Sequence, residues 1–179
     1  MTNAAATYYD LFGIAPSFNV DKQALDSAYR KLQQASHPDR FVNQPSEFQR
    51  QAVQQTAQNT EAYHTLKSAV QRACYLLTIS GADFSLSNYT VSNIDLLMQQ
   101  MEYREQLNEL KELGDFEKLN SFADKLQILT DDVEAKIAAL FEQDQAEDST
   151  DLKNHICELQ FLNKLAKDLD EVEEYLFTQ

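Results

Sequence analysis

The stretch "KLQQASHPDRF", Lys31–Phe41, sets a proline between a histidine and an aspartate at the end of a helical run. The residues before it, from Asp21 to Ser36, follow an amphipathic pattern. Asp21 can cap the start, and Leu25, Ala28, Tyr29 and Leu32 recur at i, i+3, i+4 and i+7. His37 precedes Pro38, which pushes it out of the helical region, so the helix ends there. Beyond Pro45, Ser46-Glu47-Phe48-Gln49 has the form of a capping box and predicts a second helix. That helix carries Phe48, Ala52, Val53, Ala57, Ala62, Tyr63 and Leu66. The first helix thus stops at His-Pro-Asp, and a second begins a few residues later.

Working outward, "TYYDLFGI" is a short apolar turn of helix ended by Gly13 and Pro16, and "SAVQRACYLLTIS" is a helical run ending at Gly81. The segment 82–91, "ADFSLSNYTV", is rich in Ser and Asn and reads as a linker. Ser92 with Asp95 resembles another cap. Three long helical runs then follow, at about 93–113, 115–144 and 150–177, divided by Gly114 and the polar "DQAEDST". Three helices with short connections predict an antiparallel bundle. The expected fold is all-α: a helical hairpin domain over 1–81, a linker over 82–91, and a three-helix bundle over 92–179.

Composition agrees, since three glycines and three prolines leave little material for the turns of an all-β chain. The formal charge of −14 is unevenly placed, with +1 over residues 1–78 and −15 over residues 79–179. An acidic second half repels phosphates and argues against nucleic acid. No apolar run approaches the roughly 20 residues that cross a bilayer, and "MTNAAATYYD" lacks the regions of a signal peptide. Cys74 and Cys157 stand in apolar helical contexts with no Cys-x-x-Cys, which predicts buried free thiols in a reducing cytoplasm. His37 and Asp39 flank a proline, so their side chains need not converge on one ion with His64 or His155. No phosphate loop, Gly-x-Ser-x-Gly or His-Glu-x-x-His motif is present, and no enzyme activity is expected.

The helix over 94–113 is unusual on a wheel of about 100° per residue. Leu96, Tyr103, Leu107 and Leu110 share one narrow stripe, which predicts the face toward the bundle. Ile94, Leu97, Met98 and Met101 gather on the opposite side, bordered by Glu102 and Glu105. An outer helix of a bundle needs one apolar face, and the first half of this one has two. The second face either packs within the chain or forms an interface with an apolar centre and polar rim, for which adaptable methionines are suited.

The first 78 residues resemble a J-domain, the module that activates DnaK-type ATPase chaperones. The likeness runs through "YYDLFGI", the helix ending "AYRKLQQASHPDRF", the loop and the long helix after it. The tripeptide alone is weak evidence, since at average residue usage it arises in roughly one chain in a hundred of this size. The resemblance implies that His37, Pro38 and Asp39 meet the chaperone. It further implies that Arg30 and Lys31, with Lys22 as a helper, face an acidic patch on it, and that Arg40, where J-domains carry Lys or Arg, belongs to the same contact. Ser36 departs from the pattern, because J-domains carry an aromatic or bulky residue before the histidine.

Further on, Arg72-Ala73, Tyr75-Leu76-Leu77 and Gly81, followed by "LLMQQMEYREQLNEL" over 96–110, resemble the HscB family, the J-proteins dedicated to iron–sulfur cluster assembly. That resemblance implies an adaptor that brings an IscU-type scaffold protein to an HscA-type chaperone in the cytoplasm. The scaffold contacts would be Leu97, Met98, Met101, Glu102, Glu105 and Phe161. Phe161 sits off the main stripe of its own helix, where edge packing is an equal alternative. No cofactor is expected on this chain, because any cluster sits on the scaffold, and a monomer is expected. The other reading is a general J-protein whose acidic bundle is a structural or dimerisation element. The exposure of Leu97, Met98 and Met101 distinguishes the two.

Overall fold

The computed structural model of the protein describes residues 6–91, 93–143 and 148–178. Seven α-helices and a 3-10 turn at Pro38–Phe41 occur among them, with no strand. The chain divides into two compact units, one ending at Gly81 and the other beginning at Ala82.

In the first unit, Thr7 opens α1 (Tyr8–Phe12) through a capping box with Asp10, and Gly13 closes it at φ 66°, where only glycine is unstrained. Asp21 caps α2 (Lys22–Ser36) by accepting from the amides of Gln23 and Ala24. A 3-10 turn (Pro38–Phe41) follows, then α3 (Ser46–Lys67) and α4 (Ala69–Ser80). The capping box expected at Ser46 does not form. Pro45 occupies the cap position, so Ser46 already lies inside the helix. Gln49 instead turns its amide back onto the carbonyls of Val42 and Gln44, each at 3.0 Å, and so fastens the loop to the start of α3.

Tyr9, Leu25, Ala62, Leu66, Ala73 and Leu77 make the centre of this unit. Each buried leucine contributes roughly 2 kcal/mol. Phe48, Val53 and Ala57 of α3 are exposed, and the buried positions of that helix are Ala52, Asn59, Ala62 and Leu66. An asparagine therefore stands in a row that apolar periodicity alone would fill with an aliphatic residue. Arg72 is buried as well, donating to the carbonyls of Phe18 and Leu66 at 2.6 Å each and stacking on the Phe18 ring. It ties the α1–α2 connection to the α3–α4 turn. Tyr75 lies flat on Tyr8 and accepts that residue's amide proton at 2.8 Å.

The second unit starts with an irregular segment. Phe84 meets Tyr89 edge to face, and the Tyr89 hydroxyl donates to Asn154 at 3.0 Å, fastening residues 84–89 to the last helix. Asn93 caps α5 (Ile94–Leu113), accepting from the amides of Asp95 and Leu96. The cap expected at Ser92 lies outside the described residues. Gly114, at φ 63°, turns the chain into α6 (Phe116–Phe141), and Ser149 caps α7 (Thr150–Phe177). Helices α6 and α7 pack along most of their length through Leu119, Phe122, Leu126, Val133 and Ile137 against Leu152, Ile156, Leu159, Leu165 and Leu169. Cys74 and Cys157 are only half-buried, less enclosed than their apolar flanks imply; burial nonetheless pushes the Cys157 thiol up.

Candidate functional site

Helix α2 brings the His-Pro-Asp loop to the surface and two bonds hold it there. A helix end leaves its last four carbonyls without partners. Here the Thr56 hydroxyl of α3 takes the Ser36 carbonyl at 2.9 Å, and Arg40 Nη1 takes that of Gln34 at 3.0 Å. Arg40 thus spends one arm of its guanidinium as a cap on α2, close to the negative end of the helix dipole. Within the loop, His37 Nδ1 accepts from the Asp39 amide at 3.3 Å and lies 3.6 Å from the Asp39 carboxylate. Both side chains are exposed, Asp39 the more so, and Pro38 is half-buried between them.

Below the loop, α2 and α3 run antiparallel and are laced by polar contacts. Tyr29 stacks on Tyr63 with ring centroids 4.0 Å apart, and Gln33 donates to both Tyr29 and Thr60. Tyr63 donates to Asp26 at 2.8 Å and accepts from Lys67 at 2.6 Å. The Tyr63 hydroxyl, with Lys67 beside it, holds the Asp26 carboxyl below its usual range. Asp26 is thereby turned to α3, while Lys22, Arg30 and Lys31 stay exposed on the α2 face. The expected chaperone-facing residues share this one helix and its loop.

The unusual Ser36 is buried, not a gap. Its Oγ donates to the Leu32 carbonyl at 2.9 Å and accepts from Asn59 Nδ2 at 3.2 Å. A small polar residue replaces bulk with hydrogen bonds.

In the bundle, α5 keeps the two faces of its sequence. Leu96, Tyr103, Leu107 and Leu110 are buried. On the other side Ile94 is 70% exposed, Leu97 44%, Met98 57% and Met101 73%. Glu102 and Glu105 beside them are exposed too. Phe161 does not join this surface. It is 8% exposed, and the Arg104 guanidinium covers its ring at 5.5 Å. Among the described residues no group of three or more His, Cys, Asp or Glu side chains is arranged to hold a metal. His64 meets Tyr63 edge to face, and His155 pairs with Glu158 at 2.9 Å. None of the described helices is long and apolar enough to cross a membrane.

Comparison with known proteins bears on both surfaces. Residues 7–75 match the family model of the DnaJ domain, and residues 92–170 match the one described as the HSCB C-terminal oligomerisation domain. Over 175 residues the chain is 37% identical to the co-chaperone protein HscB homolog of Shewanella halifaxensis, covering 95% of this chain and 98% of that one. The chain belongs to the HscB co-chaperone family. A homolog from Psychromonas ingrahamii is likewise 37% identical, over 170 residues, with 95% of this chain and 98% of the other covered. The structure of chaperone HscB from Vibrio cholerae superposes with a TM-score of 0.86 at 31% identity, over 96% of this chain and 99% of that one. Human co-chaperone protein HscB shares the fold, with a TM-score of 0.84 at 21% identity over 96% of this chain and 84% of that one.

The loop, the α2 cations and the outer face of α5 are exposed, as the sequence pattern implied. Sequence reasoning missed Thr56, Asn59, Gln49 and the capping role of Arg40. These act across 5 to 23 residues of sequence, and none belongs to a short motif.

Proposed function

We propose that the protein is an adaptor co-chaperone of iron–sulfur cluster assembly. Residues 1–81 stimulate the ATPase of an HscA-type chaperone, and residues 92–179 bind an IscU-type scaffold protein, both in the cytoplasm. The observation that carries this reading is the second apolar face of α5, which the folded unit leaves uncovered although its neighbours one residue away are core. A contiguous exposed apolar surface of this kind marks an interaction site.

On the chaperone side, Pro38 fixes the backbone so that His37 and Asp39 are presented with little entropy left to lose on binding. Asp39 offers a charge-assisted bond to a cation of the chaperone. Arg30 and Lys31 meet its acidic surface, joined by the part of Arg40 not engaged in capping. On the scaffold side, Leu97, Met98 and Met101 form the apolar centre, and Glu102 and Glu105 the rim. Phe161 supports the flank of this surface from beneath Arg104. ATP chemistry belongs to the chaperone; this chain supplies proximity, which raises the effective concentration of the scaffold.

Steady-state ATP hydrolysis by the chaperone, with and without scaffold, tests the reading. His37→Gln abolishes stimulation at every concentration. Replacing Leu97, Met98 and Met101 together with alanine removes only the scaffold-dependent part. Wild-type behaviour of that triple variant would sink the adaptor assignment.

A second reading draws on the description of the matching bundle family as an oligomerisation domain. In it, the outer face of α5 pairs with a second copy, and the chain is a general J-protein. Sedimentation of the wild type as a dimer, and of the triple variant as a monomer, would favour that reading.

A further inference from the structure

We infer that Ser36, Thr56 and Asn59 set the pose of the His37–Asp39 loop, which makes Thr56 a positioning residue for chaperone stimulation. The functional half of this inference rests on the proposed role of the loop.

The three side chains meet where α2 ends. Thr56 donates to the Ser36 carbonyl at 2.9 Å, and its oxygen lies 3.2 Å from Ser36 Oγ. Asn59 reaches the same Oγ at 3.2 Å from one turn further along α3. Ser36 is 5% exposed and Asn59 is 1% exposed, so these bonds are shielded from competing water. Asn59 Oδ1 meets no donor among the described residues. The amide carries this unpaired acceptor alongside the donor that reaches Ser36 Oγ, a bond that a leucine could not make. What it does is hold Ser36, the residue directly before His37. Pro38 removes the amide proton that could have continued the ladder, and the path of the chain out of α2 is then decided by how the Ser36 peptide is held. A bulky residue at 36 would hold it by packing; this chain holds it by bonds from α3.

Thr56→Val keeps the shape and deletes the donor, while Thr56→Ser keeps the donor. Thr60→Val serves as the control. Its hydroxyl accepts from Gln33 and donates to the Thr56 carbonyl, in the same seam but without touching Ser36. Maximal stimulation of the chaperone ATPase is read for each, together with amide order parameters at Asp39 and Arg40. Thr56→Val lowers maximal stimulation about fivefold, in keeping with the loss of one hydrogen bond, and loosens both amides. Thr56→Ser restores both, and Thr60→Val changes neither despite a similar loss of thermal stability. Unchanged stimulation and order in Thr56→Val overturn the inference, as does an equal loss in Thr60→Val. Failure of the underlying role looks different: His37→Gln then stimulates like the wild type, while Asp39 still loosens in Thr56→Val.

Discussion

The His-Pro-Asp loop and the outer face of α5 are both exposed, yet they are held in opposite ways. The loop is polar and irregular, and its shape depends on Thr56, Asn59, Arg40 and Gln49 reaching it from elsewhere. The α5 face is apolar and needs only the helix: once Leu96, Tyr103, Leu107 and Leu110 anchor one side, Leu97, Met98 and Met101 project from the other. Charge follows the same division, with cations on α2 beside the loop and carboxylates around the α5 patch. On the proposed roles, the loop is therefore open to being disabled from a distance without touching the motif. The α5 face can be disabled only at the face itself, and its loss leaves the fold alone.

The largest effect tests that last point. Changing Leu97, Met98 and Met101 to alanine removes the apolar centre of the proposed scaffold interface, and a few such residues carry most of a binding energy. Scaffold affinity measured by calorimetry is expected to weaken by about a hundredfold or more. The melting temperature is expected to stay within about 2 °C, since alanine is a better helix former than methionine and no cavity opens. A large fall in melting temperature would mean that the face is covered in solution.

Phe161 is the converse case, and substituting it costs stability first. Removing a buried phenylalanine ring costs about 3 kcal/mol, or roughly 6–12 °C in melting temperature for a chain of this size. Phe161→Leu refills most of the volume and is expected to recover both stability and scaffold affinity. If stability returns and affinity does not, the ring makes a scaffold contact of its own, reached when Arg104 swings off it.

What could be read in the sequence follows from the same division. The α5 face was legible because a helix converts spacing into direction at a fixed angle per residue, and the exposures of Leu96 and Leu97 fall as the wheel places them. The loop was legible as residue names, through His37, Pro38 and Asp39. Its supports were not, because a bond such as Thr56 to Ser36 joins positions 20 apart that only tertiary packing brings together. Ser46 misled for a local reason: a capping box needs a residue just outside the helix, and Pro45 had already taken that place. Asn59 was hidden among apolar neighbours, since periodicity marks which side of a helix is buried and not which buried position carries a polar bond.

The smallest effect concerns the polar lacing itself. Tyr63→Phe keeps the stack on Tyr29 and removes the hydroxyl that bonds Asp26. Because that bond holds the folded carboxyl below its usual range, it stabilises the fold at pH values above the ordinary carboxylate pKa of about 4. The contribution fades as pH falls through the lower folded value, where Asp26 is protonated with or without the hydroxyl. Tyr63→Phe is therefore expected to melt about 2 °C or less below the wild type at neutral pH, and the difference is expected to shrink as pH falls through the lowered Asp26 value. In the same variant, the Asp26 titration followed by NMR moves up toward the ordinary value. Lys67, raised chiefly by the same hydroxyl, moves down. The α5 patch offers no such titration on its apolar residues, so a scaffold affinity that tracked the Asp26 pKa would break the separation between the two surfaces. An affinity indifferent to it, alongside the shift in stability, would sharpen that separation.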